Sequence, residues 1–176
     1  MLDQTELVMR PAVAADLRQV LDLYAQPDFD AGNVLPLETA RQLLDRFDDY
    51  PDYTLYVAER GGDIVGSFAL LVMHNLGHLG APSAILEDVV VAPALQGQGI
   101  GKAMIGFVLD LCRTKGCYKL PLASNAKRKR AHAFYESLGF ERHGLSFRVG
   151  FTQVEMDQAG LDEVELAPAA RDVAAP

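Results

Sequence analysis

Val89-Val90-Val91-Ala92-Pro93-Ala94-Leu95-Gln96-Gly97-Gln98-Gly99-Ile100-Gly101-Lys102 is the stretch on which the reading of this chain turns. A β-branched run from Ala84 to Ala92 stops at Pro93, and a helical pattern begins at Lys102. Between them, glycines at 97, 99 and 101 remove side chains from alternate positions. Backbone N–H groups at a helix N-terminus lack intrahelical partners, and the helix dipole favours negative charge there. A pyrophosphate reaches such a turn only where no Cβ blocks it. Gln96, Gly97, Gln98, Gly99, Ile100 and Gly101 are therefore expected to hold the pyrophosphate of a coenzyme.

Working outward, Met104, Phe107, Val108, Leu111 and Cys112 recur at helical spacing over Lys102–Lys115, and Gly116 reads as the C-cap. Tyr118 to Ala123 reads as a strand, Arg130 to Leu138 as a short helix, and Phe140 to Phe151 as holding a last β segment. On the N-terminal side, Ala84–Ala92 follows a polar, Gly-rich loop, His74–Ser83. Before that loop, Tyr53–Glu59 and Ile64–Met73 read as a hairpin turning at Gly61-Gly62-Asp63. Glu6–Arg10 reads as a strand, and Ala14–Tyr24 and Leu37–Tyr50 as amphipathic helices. Antiparallel strands passing into a β-α-β crossover predict an α/β (α+β) domain, with a mixed sheet and helices on both faces.

Two familiar phosphate loops do not fit. A Walker A loop needs G-x-x-x-x-G-K-[ST], but Gln96 stands at its first glycine and Ala103 at its hydroxyl residue. A dinucleotide fingerprint needs a third glycine where Lys102 stands. What remains is Q/R-x-x-G-x-G/A, with Gln96, Gly99 and Gly101 at the defining positions. A second element, Ala131-His132-Ala133-Phe134-Tyr135-Glu136-Ser137-Leu138-Gly139-Phe140, follows in order. With these two motifs the chain resembles the GNAT superfamily of N-acetyltransferases, from about Leu7 to Phe151.

The resemblance implies a mostly antiparallel sheet of six to seven strands in which the fourth and fifth splay apart. It implies acetyl-CoA as co-substrate. The pantetheine arm would pair with the backbone of Val89, Val90 and Val91, the pyrophosphate would sit on Gln96–Lys102, and Asn125, Phe134 and Tyr135 would face the coenzyme. It further implies direct attack of an amine on the acetyl thioester. Tyr135 is then the expected acid, because a phenol keeps its proton at neutral pH yet yields it to a comparably basic thiolate. Glu87 is the expected base over Asp88. Adjacent strand residues point to opposite faces, so only one of the two should face the cleft.

The acceptor is less constrained. Leu86–Val91, Gly116–Lys119 and Phe134–Glu136 resemble glucosamine-6-phosphate N-acetyltransferases, from which Leu122-Ala123-Ser124 departs. Ser124–Arg128 with Ala131–Tyr135 resembles bacterial small-molecule acetyltransferases, including those for aminoalkylphosphonates. In this family acceptor residues come from the first two helices and the His74–Ser83 loop, which points to Tyr24, Phe29, Asn33 and His78. Arg128 reads as a ligand for a phosphate or as part of a solvated basic turn, and His132 as an exposed helix residue. A homodimer through the β segment after Phe140 is also implied.

Composition narrows the alternatives. The chain has 176 residues and a net charge of −8, which argues against nucleic acid as a partner. The longest apolar run, Ile64–Met73, is too short for a membrane span, and the N-terminus does not read as a signal peptide, so a cytoplasmic location is expected. Cys112 and Cys117 form neither a disulfide framework nor a zinc site, and no metal is expected. Residues 1–152 read as the acetyltransferase domain and 153–176 as an acidic, Ala/Pro-rich tail. The leading expectation is transfer of acetyl from acetyl-CoA to the primary amine of a small molecule. A non-catalytic acyl-CoA sensor and a protein N-acetyltransferase are the alternatives.

Overall fold

The computed structural model describes residues 6–27, 29, 30, 32–144, 147 and 149. The chain divides into two units, Met1–Phe140 and Glu141–Pro176, and every element below lies in the first. In order these are β1 (Leu7–Pro11), α1 (Leu17–Tyr24), α2 (Leu37–Phe47), β2 (Tyr53–Arg60), β3 (Asp63–Met73), β4 (Ser83–Val91), α3 (Ile100–Thr114) and α4 (Lys129–Ser137). Short 3₁₀ turns at Ala14–Asp16, His78–Gly80 and Pro93–Leu95 precede α1, β4 and α3.

The four strands pair antiparallel in the order β1-β2-β3-β4. Arg60 pairs with Asp63, leaving Gly61-Gly62 as a two-residue turn with φ of 63° and 94°. That conformation belongs to the tight turn whose twist matches paired strands, and it strongly favours glycine. β2 alternates its side chains between two cores. Leu55 and Val57 join Leu17, Val20 and Leu21 of α1 and Ala40 of α2 on one face. Ala58 and, from β3, Phe68 and Leu70 join Ile100, Met104, Ile105, Val108 and Cys112 of α3 on the other. Burying one such aliphatic side chain contributes about 1.5–3 kcal/mol. Helices thus cover both faces, as expected.

The start of α1 is fixed by charge. Asp16, only 6% exposed, accepts both terminal nitrogens of Arg10 at 2.6 and 2.9 Å and the Val13 N–H at 2.8 Å. Arg10 also gives its Nε to Glu59 at 2.7 Å, so β1, β2 and α1 meet at one guanidinium. Its hydrogen bonds outweigh burial and hold the Asp16 carboxyl below its usual range.

The expected six to seven strands are not found. Among the described residues the sheet has four, and Tyr118–Ala123 is joined to it by one parallel bridge, Ser83 with Lys119. Pro121 has no N–H to give a ladder, which stops that segment from becoming a regular strand. Residues 140–144 are not strand, and the rest of the expected last β segment falls largely outside the described residues, as do the proposed dimer interface and tail. No helix among the described residues is long and apolar enough to cross a membrane.

Candidate active site

The glycine turn begins at Gln96. Its Nε2 donates to the carbonyl of Val91 at 3.3 Å, as does Nε2 of Gln26, so this glutamine ties the turn back to the end of β4. Gly97 and Gly99 have φ of 78° and 86°, and Gly99 is the N-cap of α3. A Cβ on either would meet no other atom within 4 Å, so backbone conformation and clearance for a ligand are what glycine supplies there. Gly101 differs. Its Cβ would stand 3.2 Å from Cζ of Phe134, so its absence lets the α4 ring lie against α3. Gln98 is exposed and returns its Nε2 to Ala94 at 3.3 Å. Ile100 points into the core at 1% exposure, and contributes its backbone to the turn. An open turn of this kind, at a helix start carrying Lys102, fits a pyrophosphate.

Next to it, β4 and the following segment part company. Tyr118 N–H bonds Pro82 O at 2.9 Å, Ala84 N–H bonds Lys119 O at 3.1 Å, and Leu86 N–H bonds Pro121 O at 3.3 Å. Among the described residues the pairing goes no further along β4. Beyond Leu86 a cleft of about 140 Å³ opens, lined by Glu87, Asp88 and Val89 on one wall, Leu122, Ala123 and Ser124 on the other, with Phe29, Arg128 and Tyr135. β4 and the segment after α3 thus diverge as a wedge, with a single bridge in place of a paired fifth strand. Ser124 Oγ is shielded from solvent and has no hydrogen-bond partner, a buried polar atom suited to a polar ligand.

Glu87 and Asp88 both line this cleft, which departs from the expectation that only one would face it. Ala69 of β3 pairs with Glu87 and Ser67 with Val90, so β4 carries one residue too many between them. The excess is a bulge in which Asp88 has φ of 54°, and a bulge breaks the strict alternation of sides. Aspartate enters this region more readily than most residues. Burial, and then the neighbouring Asp88 charge, raise Glu87 above the usual carboxylate range. Burial and then Asp30 raise Asp88. The Tyr135 hydroxyl is raised by burial and partly offset by Arg128. Its ring is tilted against Phe134 at 5.2 Å and meets Phe140 edge-on at 5.5 Å, which fixes the phenol in the wedge.

Other expected residues have local duties. Asn125 Oδ1 accepts the Lys127 N–H at 2.9 Å, and its carbonyl meets Nε2 of His132 at 3.0 Å, so this residue shapes the entry to α4. Val89 lines the cleft, Val90 is buried beneath α1, and Val91 carries the carbonyl held by the two glutamines. Cys112 lies in the core, its thiol pushed up to about 11 by burial. His78 stacks on Tyr118 at 4.0 Å and lines neither cavity. Among the described residues no cluster of His, Cys, Asp and Glu suits a metal ion.

The feature that sequence reasoning missed is a second cavity, of about 280 Å³, between α1, α2 and the sheet. Val20, Leu21, Leu44, Phe47 and Leu55 form much of its wall, and Tyr24, Asp30, Asn33 and Asp88 supply its polar groups. Tyr24 stacks on Phe29 at 4.7 Å. Asp88 lines both the cavity and the cleft. No periodic signal announces such a hollow, because its lining residues obey the same helical and strand patterns as a filled core.

Comparison with known proteins gives concordant results. Residues 17–140 match the family model described as Acetyltransferase (GNAT) family. The chain is 41% identical over 88 residues to glucosamine 6-phosphate N-acetyltransferase of Trypanosoma brucei brucei, covering 50% of this chain and 58% of that protein. It is 31% identical over 97 residues to aminoalkylphosphonate N-acetyltransferase of Salmonella typhimurium, covering 55% and 62%. The match thus spans roughly three-fifths of these curated relatives' length. The crystal structure of an acetyltransferase from Trypanosoma brucei superposes with a TM-score of 0.72 at 30% identity, over 83% of this chain and 100% of the other.

Proposed function

This chain belongs to the acetyltransferase (GNAT) family, and we propose that it moves the acetyl group of acetyl-CoA onto the primary amine of a small molecule by direct attack. The observation that carries this reading is the wedge beyond Leu86, which gathers Tyr135, Glu87 and Asp88 around one cleft beside the glycine turn. Gln96–Lys102 holds the pyrophosphate, and the backbone of Val89–Val91, on the wall of the wedge, receives the pantetheine arm, with Asn125 and Phe134 alongside.

The chemistry then follows from what each group does with a proton. A carboxylate whose pKa lies above its usual range is a better base, so Glu87 takes the proton that the attacking amine sheds, directly or through water. The new C–N bond forms as the C–S bond breaks. Backbone N–H groups of Val89–Val91 stabilise the oxyanion that develops on the thioester carbonyl. Tyr135, kept protonated by burial, gives its proton to the departing thiolate. A cytoplasmic site of action and a homodimer belong to the same reading.

Release of free thiol from acetyl-CoA, followed across amino sugars, alkylamines, polyamines, aminophosphonates and peptides, tests it. The expected result is amine-dependent release with at least one small-molecule class. Tight acetyl-CoA binding with no release above background for any amine would overturn it, and release with peptides alone would favour a protein acceptor.

A further inference from the structure

The cavity under α1 and α2 has a chemistry of its own. Apart from Tyr24, Asn33 and the two acids Asp30 and Asp88, its lining is aliphatic or aromatic, and among the described residues none of the lining side chains is cationic. A phosphate or phosphonate placed there would be desolvated without a cation and would face two carboxylates. An ammonium group on an apolar body meets the opposite situation. Its charge finds Asp88 and Asp30, and its body finds Val20, Leu21, Leu44, Phe47 and Leu55. Asn33 secures the acid on the loop, because both its backbone N–H and its Nδ2 bond the carbonyl of Asp30, at 2.9 and 2.7 Å. Size can be gauged as well. An apolar cavity of about 150 Å³ takes benzene, so one of about 280 Å³ takes roughly ten to twelve carbon-sized atoms.

We propose that the acceptor is a primary alkylamine or arylalkylamine. Its apolar body fills the cavity between α1 and α2, and its nitrogen stands at Asp88, where that cavity meets the catalytic cleft. This inference rests on the transfer reaction proposed above. It separates this chain from relatives whose named acceptors are a phosphosugar and aminoalkylphosphonates. Arg128 lines the cleft and not the cavity.

The test is calorimetric titration of n-alkylamines, from propylamine to tetradecylamine, into the protein saturated with CoA, alongside thiol release from acetyl-CoA. Affinity should rise about fourfold per added methylene and level off once the chain outgrows the cavity. Octanoate, of equal length and opposite charge, should bind at least tenfold more weakly than octylamine. Thiol release should be faster with octylamine or phenethylamine than with glucosamine 6-phosphate or 2-aminoethylphosphonate. Ala40→Leu, which puts three carbon atoms into the cavity, should bring the plateau forward by about three methylenes. Asp88→Asn should weaken every amine at least tenfold and leave the slope per methylene unchanged. A flat chain-length series, equal binding of octanoate, an unmoved plateau in Ala40→Leu, or faster release with the phosphorylated amines would each overturn the inference. A steep amine series without thiol release from any amine would keep the alkylamine as the ligand of this cavity and remove the transfer reaction instead.

Discussion

The glycine turn and the α1–α2 cavity, proposed above as the donor and acceptor sites, are built from different materials. The turn is made of backbone: Gly97 and Gly99 at positive φ, the first N–H groups of α3, and the Val91 carbonyl clasped by two glutamines. The cavity is made of side chains, chiefly aliphatic ones from α1, α2 and β2. A backbone site restricts which residues fit at each position, whereas an aliphatic wall accepts many residues of similar volume. A donor site of the first kind can remain constant while an acceptor site of the second kind changes its clientele.

Substitutions on each side sharpen that contrast, and the largest expected effect is chemical. Tyr135→Phe should lower kcat by about a hundredfold or more, the usual loss for a general acid, with near-normal affinity for acetyl-CoA. An unchanged kcat would take Tyr135 out of the reaction. Asp16→Ala removes two charge-assisted hydrogen bonds to Arg10, which keeps Glu59, and should destabilise the fold by about 1–3 kcal/mol in urea titrations. Coenzyme affinity in the folded variant should be unaltered, and loss of both together would erase the distinction between the two sides. Gly99→Val forces a β-branched residue to φ of 86°. Coenzyme binding should weaken by about tenfold, matching a strain of about 1–3 kcal/mol, while alkylamine binding stays as it was. Gly101→Ala is the gentlest of the turn variants. Phe134 must yield by a few tenths of an ångström, so a cost of about 0.5–1 kcal/mol is expected, read as a small drop in Tm.

Two acids on the acceptor side respond to pH in opposite directions. Asp16 is held below its usual range by Arg10, so its stabilisation is present above its unfolded pKa of about 3.9 and is lost as pH falls through the lower folded value. Asp88 is raised by burial, so its charge opposes folding once pH exceeds that same unfolded value. Asp88→Asn should therefore raise Tm slightly at pH 7, by about a degree or two, and give no gain below about pH 4. A lower Tm at pH 7 would mean that the carboxylate stabilises the bulge.

Most of the fold was legible because periodicity and punctuation agreed. Pro93, Gly61-Gly62 and Gly116 bound their elements, and α1, α3 and α4 fell close to where spacing put them. The fifth strand was misread because Tyr118–Ala123 has a strand's composition, yet Pro121 cannot extend a ladder. The turn and Tyr135 were legible as motifs. The shared facing of Glu87 and Asp88 was not, since a bulge depends on how β3 and β4 register, and nothing local to Asp88 announces it. The α1–α2 cavity was illegible for a related reason: emptiness is a sum of volumes across five elements and a loop.

The wedge beyond Leu86 has a consequence for the company the protein keeps. A strand edge with unpaired N–H and C=O groups is a template for any other extended chain, including a second copy of itself. Here that edge is guarded by neighbouring negative charges at Glu87 and Asp88, both exposed enough to meet an incoming strand. Like charges repel when two such edges approach, so self-addition is discouraged while a slender, uncharged arm can still lie down. Neutralising both acids should then show itself first as clumping on storage.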